Sequence, residues 1–144
     1  PEDKWDWKIH EKSASIGWLA NHLANIPSWV EITITQDSLD VEPVAGQPAR
    51  AELLTTVDAV LKRFDANVAR GRELLETVDD ETLHGPWSLL KQGQVLMTMP
   101  RLACLRTWVL NHIIHHRAHM CVYLRVNDIP VPGLYGPSAD EAGM

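Results

Sequence analysis

The sequence has 144 residues, of which 45% are hydrophobic and 22% charged, and its formal net charge is −6. This composition is typical of a folded globular chain and excludes a disordered one. The acidic balance and the absence of any Lys/Arg run argue against a nucleic-acid surface, which needs clustered cations. No stretch is apolar over the roughly 20 residues of a membrane span. We therefore expect neither nucleic acid nor a membrane as partner.

The chain is expected to form one domain over residues 1–144. Its start at Pro1 rather than Met suggests that a leading element is missing. The two cysteines, Cys104 and Cys121, fall in one predicted helix about 25 Å apart, which is too far for a disulfide. Reduced, packed cysteines predict a cytoplasmic protein.

Apolar residues at three- and four-residue steps predict three long helices. The first begins near Ser13, a good N-cap residue, and Pro27 should kink it. A loop rich in Pro and Gly follows over residues 36–49. The second helix is predicted over 49–78 and the third over 101–126.

Residues 79–97 are mixed, and 87–90 with 95–97 fit a small hairpin around 91–93. The long connections require at least one crossover between distant helix ends. A helix before Pro1 would complete a layer of four. The predicted fold class is therefore all-α, a four-helix bundle with long crossovers and a possible hairpin near 87–97.

Four histidines lie close together near the middle of the third helix. With His112 as the reference and about 100° per residue, His116 lies at about +40°, His119 at about −20° and His115 at about −60°. Histidines at i and i+4 stack their imidazoles on one side of a helix and form a bidentate metal clamp. His22, on the apolar stripe of the first helix, is the candidate third ligand.

The segment Asn-His-Ile-Ile-His-His-Arg at 111–117, with Tyr-Leu-Arg at 123–125 and Pro-Val-Pro-Gly-Leu-Tyr-Gly at 130–136, resembles the closing signature of the DinB family. Residues 11–23 resemble the ligand-bearing early helix of that family. The resemblance implies a DinB-like bundle in which His22, His112 and His116 hold one divalent metal ion. It also implies a similarity to bacillithiol transferases and thiol-dependent isomerases.

The chain departs from the family pattern at one place. The family often has Gly-Gln after His-His-Arg, whereas this chain has Ala118 and His119. His119 is therefore a candidate fourth ligand, second-sphere donor or proton shuttle, and His115 at the edge of the same face is a candidate for the first two roles.

Imidazole ligands suit Zn²⁺, Ni²⁺ and Fe²⁺, so the metal is not determined. An ion with three such ligands keeps an open position that can activate water or a thiol. The mouth of the site is predicted to be lined by Trp18, Trp29 and Trp108. The catalytic residues are unknown.

Three hypotheses follow from an open site. The first is a metal-dependent enzyme on small molecules that activates a low-molecular-weight thiol for transfer. The second is a metal-dependent hydrolase, with Glu31, Asp37 or Asp40 as a possible base. The third is a non-catalytic bundle in which the ion stabilises the fold or binds a ligand. Apolar edges and six tryptophans further predict a homodimer.

Overall fold

The structure, a computed structural model, describes residues 1–43 and 52–142. Within them the helices are α1 (Ile16–Asn25), α2 (Trp29–Thr35), α3 (Val57–Thr77), α4 (Asp80–His84), α5 (Arg101–Cys104), α6 (His112–Val126) and α7 (Ala139–Ala142). The strands are β1 (Ser38–Asp40), β2 (Pro86–Lys91) and β3 (Gln94–Pro100).

The first helix begins two residues later than the start expected near Ser13. Ser15 is the N-cap residue, and its hydroxyl accepts a hydrogen bond from the backbone N–H of Trp18 at 3.2 Å. The interruption predicted at Pro27 is confirmed, because a 3-10 turn at Ile26–Ser28 separates α1 from α2.

The predicted second helix corresponds to α3. Thr56 caps it by accepting a hydrogen bond from the Ala59 backbone N–H at 3.3 Å. Its end at Thr77 agrees with the prediction to one residue. The predicted start at Ala49 itself lies outside the described residues. Residues 52–56 are described and are not helical, so the predicted start is too early and the helix begins at Val57, after its Thr56 cap.

The hairpin expected near 87–97 is present as β2 and β3, which pair antiparallel. Its turn places Gln92 and Gly93 at positive φ, which suits glycine at the second position. β1 pairs parallel to β2, so the sheet has three strands in the order β1-β2-β3. The all-α four-helix-bundle prediction is therefore wrong, and the fold is mostly helical with a small mixed sheet.

The missed strand lies inside the segment predicted as a loop. β1 has three residues, too few to display an alternating pattern, and its partner is far away in the sequence. The carboxylate of Asp40 accepts hydrogen bonds from the backbone N–H groups of Gln92 at 3.0 Å and Gly93 at 2.7 Å. This contact joins the end of β1 to the hairpin turn.

The C-terminal helix is continuous over residues 101–126 and is distinct from the short α7 that follows it. It consists of α5, a π-helical segment at Leu105–Asn111, and α6. Two buried clusters pack against its first half. One contains Ile26, Val30, Leu105 and Val109, and the other contains Trp87, Leu89 and Cys104. They hold α1, α2 and the sheet on this helix. None of the helices in the described ranges is long and apolar enough to cross a membrane.

Candidate metal centre

Three imidazoles from two helices meet at one point. α1 packs on α6 and brings His22 to His112, with their Nε2 atoms 3.2 Å apart. One turn along α6, the Nε2 atom of His116 lies 2.9 Å from that of His112. One ring nitrogen from each of the three lies within 4.8 Å of the others. The structure thus brings together the three residues expected to be ligands.

This spacing fits a first-row divalent ion. Metal–imidazole bonds of about 2.0–2.1 Å place neighbouring nitrogens about 2.8–3.0 Å apart at right angles and about 3.3–3.4 Å apart in a tetrahedron. The Nε2 distances of 2.9 and 3.2 Å agree with that range. Neutral imidazole is also a donor that Zn²⁺, Ni²⁺ and Fe²⁺ accept.

Hydrogen bonding inside the cluster supports the same assignment. The Nδ1 atom of His112 lies 3.2 Å from the Trp108 carbonyl oxygen, which can only accept, so Nδ1 carries the proton and Nε2 a lone pair. That one lone pair faces two other Nε2 atoms. The Nδ1 atom of His116 is buried without a hydrogen-bond partner. A cation among the Nε2 atoms would bind the lone pairs that crowd together there, while the Nδ1 atom of His116 would still lack a partner within the described residues.

The three tryptophans expected near the site flank the triad. The Trp18 indole stacks on the His22 ring with centroids 4.7 Å apart and planes at 19°. The rings of Trp29 and His112 pack edge to face, with centroids 5.9 Å apart, and the Trp29 and Trp108 ring centroids are 6.0 Å apart. Trp18 is 38% exposed. It therefore forms an accessible wall, whereas Trp29 and Trp108 lie deeper.

Burial keeps the triad imidazoles neutral. It lowers the pKa of His22, with a further lowering from nearby His112. It also lowers the pKa of His112, against a raising effect of the Trp108 carbonyl. For His116, burial first and then the four neighbouring histidines lower the pKa to about 4. Neutral imidazole is the form that binds metal, so the site is ready for an ion at pH 7.

His115 and His119 do not join the triad. Both are exposed, and their ring centroids lie 4.2 Å apart. They form a separate group with His116, in which one ring nitrogen from each residue lies within 4.8 Å of the others. The geometry gives no support to His119 as a fourth ligand of the triad.

The carboxylates considered as a base make contacts outside the triad. Glu31 accepts a hydrogen bond from Arg70 at 2.8 Å, and Asp37 accepts one from Arg101 at 2.6 Å. Asp40 accepts a hydrogen bond from the backbone N–H of Gly93 in the hairpin turn. Cys104 is buried beside the sheet. In the described residues no carboxylate or cysteine belongs to either histidine group.

Two features of the site were not predicted from the sequence. Asn21 is 1% exposed, and its amide donates to the carbonyls of Gly17 and Leu54 at 2.9 and 2.8 Å while accepting from the Leu54 N–H. Asn21 therefore ties α1 to the segment at Leu54, next to His22. The sequence signal for this role is a polar residue that directly precedes a candidate ligand in an otherwise apolar helix. The π segment before His112 has no local sequence signature, although π turns are frequent at functional sites.

Comparisons with known proteins find a matching family and solved structures of similar fold. The model of the DinB family matches residues 1–143. A DinB-like protein from Bacillus cereus is similar at 22% identity, TM-score 0.67, over 93% of this chain and 82% of its own. A DinB-like protein from Bacillus subtilis is similar at 16% identity and a TM-score of 0.65, over 96% of this chain and 85% of its own. No protein of curated function matches.

Proposed function

The chain belongs to the DinB family, and from this premise we propose that it is a divalent-metal-dependent enzyme of the thiol S-transferase type, acting on small molecules. The observation that carries the proposal is the convergence of His22, His112 and His116 without a fourth His, Cys, Asp or Glu in their group, among the residues described. Three protein ligands are typical of catalytic sites, since closed structural sites use four.

A zinc, nickel or iron(II) ion held by the triad would supply Lewis acidity and lower the pKa of a bound thiol or water. The thiolate is the nucleophilic form of a thiol. In the proposed reaction, a carbon–sulfur bond forms between a low-molecular-weight thiol and an electrophilic substrate. The bond from that carbon to its leaving group breaks, and the thiol proton leaves with the departing group.

The chain's own residues would prepare the site for this reaction. The Trp108 carbonyl fixes which nitrogen of His112 bears the proton, and Trp18 holds the His22 ring by stacking. The exposed part of Trp18 offers an apolar surface to the substrate. The sulfur must come from a cosubstrate, because neither Cys104 nor Cys121 belongs to the triad's group. A small molecule is therefore the proposed partner, and the two free thiols favour a cytoplasmic location.

Cobalt substitution tests the proposal, because Co²⁺ shows a sulfur-to-metal charge-transfer band that zinc does not. A small thiol added to cobalt-loaded protein should produce this band. The band should persist in a Cys104→Ser, Cys121→Ser double variant and disappear in His112→Ala. Thiol-dependent turnover should follow the band across these variants in a screen of electrophilic substrates.

Two other results would contradict the proposal, and each would favour a different function. If thiols leave the cobalt spectrum unchanged while substrates are hydrolysed, the protein is a metal-dependent hydrolase. If neither thiols nor substrates perturb the spectrum, the coordination sphere is closed and the metal has a structural or ligand-binding role. Glu31 pairs with Arg70 and Asp37 pairs with Arg101. Because both carboxylates already have partners outside the triad, neither is placed to act as the base of a hydrolase.

A further inference from the structure

A second histidine group lies on the solvent side of the triad. His115 and His119 occupy i and i+4 positions of α6, and their rings pack edge to face with centroids 4.2 Å apart. Both side chains are exposed, and one ring nitrogen of each lies within 4.8 Å of the other, close enough for the two to bind one ion after a small side-chain adjustment. This spacing is the same bidentate arrangement that His112 and His116 present inside.

The two groups share one imidazole, that of His116. The His116 ring centroid lies 4.8 Å from that of His115 and 5.7 Å from that of His119. The same ring lies 4.6 Å from His112 and 4.5 Å from His22. The His116 ring thus packs against both members of the exposed pair and both other members of the triad.

We infer that His115 and His119 form a second divalent-metal site at the surface, next to the triad and weaker than it. The ligand would be an ion that prefers imidazole, such as Zn²⁺ or Ni²⁺, with water completing its coordination. Two protein ligands bind less tightly than three, and a cation already in the triad repels the second one. This inference goes beyond the proposed function and does not depend on it.

Calorimetric titration of untagged, metal-free protein with Ni²⁺ tests the second site. The wild type should show a tight event followed by a weaker one. A His115→Ala, His119→Ala double variant should lose the weaker event and keep the tight one. A His10→Ala, His84→Ala double variant removes two other exposed imidazoles and should keep both events.

A His22→Ala, His112→Ala double variant separates this inference from the proposed function. It should lose the tight event and retain the weaker one, because it leaves only one imidazole of the triad and the surface pair includes neither changed residue. The second site is refuted if the wild type and the His115/His119 variant give the same titration. Equal loss of the weaker event in the His10/His84 variant would also refute it, since binding would then be nonspecific. Either outcome leaves the triad, and the function proposed for it, in place.

Discussion

The Nδ1 atom of His112 lies 3.2 Å from the carbonyl oxygen of Trp108, one turn earlier in the same helix. In a regular α-helix, the backbone N–H of residue 112 would donate to that carbonyl. Here the backbone N–H of His112 donates to Val109, at the end of the π segment. The Trp108 carbonyl therefore receives the imidazole of His112 rather than its backbone N–H. The local helix distortion and the tautomer of a candidate ligand are therefore linked.

The first prediction concerns this tautomer. In the metal-free protein at pH 7.5, His112 should be neutral with its proton on Nδ1, because the Trp108 carbonyl accepts only from that atom. Nitrogen-15 NMR of the histidine rings distinguishes the two tautomers directly. A signal for His112 with the proton on Nε2 would contradict the hydrogen bond and weaken the assignment of His112 as a ligand.

Removal of a triad imidazole should remove metal. His22→Ala, His112→Ala and His116→Ala should each weaken tight binding by more than about 100-fold, since losing even an outer-sphere partner costs 10–100-fold. Elemental analysis after gel filtration measures this. His84→Ala is the matched control, because His84 is exposed and contacts the Asp80 carbonyl at 2.6 Å. Full metal content in His116→Ala would overturn the ligand set.

Stability of the metal-free protein should fall as the pH is lowered from about 6.5 to about 4. The pKa of His116 is about 4 in the folded protein, below the 6.5 of an unperturbed imidazole. The unfolded chain therefore binds more protons in this window, and acid favours it. The free energy of unfolding from urea titrations should show the loss. His116→Gln should reduce the slope in the same window, and an unchanged slope would contradict a buried neutral imidazole.

Gly17 should tolerate no side chain. A Cβ atom at this position would overlap the indole of Trp5. Gly17→Ala should therefore cost about 1–3 kcal/mol of stability, as overpacking usually does. Gly136 has open space around it and no positive φ, so Gly136→Ala should change stability by less than about 0.5 kcal/mol. Equal effects of the two variants in thermal unfolding would show that Trp5 does not pack there.

The homodimer expected from the sequence stays a prediction. Leu110 and Ile114, near the middle of the C-terminal helix, are 51% and 42% exposed. Apolar side chains in such positions often seek a partner, and twofold pairing is the commonest form. Light scattering should give about twice the 16.2 kDa of one chain. A Leu110→Asp, Ile114→Asp variant should be monomeric, whereas Val95→Asp in the hairpin should not change the mass.

The periodicity of the sequence determined much of the candidate site. A helical repeat placed His112 and His116 on one inward side, and the apolar stripe of α1 placed His22 inward. The structure brings these three imidazoles together, and each inference about direction depends only on neighbours within one or two turns. The hairpin was equally local, since its two strands are joined by a two-residue turn at Gln92 and Gly93.

Contacts between distant segments decided the rest. Whether Ser38–Asp40 forms a strand depends on pairing with β2, which no local pattern in three residues can specify. The role of Asn21 depends on its contact with Leu54 in another segment. A helical wheel placed His119 on the same side as His112, but only the packing of α1 on α6 determined that His22 meets His112 and His116 rather than His119. The physical reason is that a single segment fixes directions around its own axis, whereas the distance to another segment is set by the packing of the whole core.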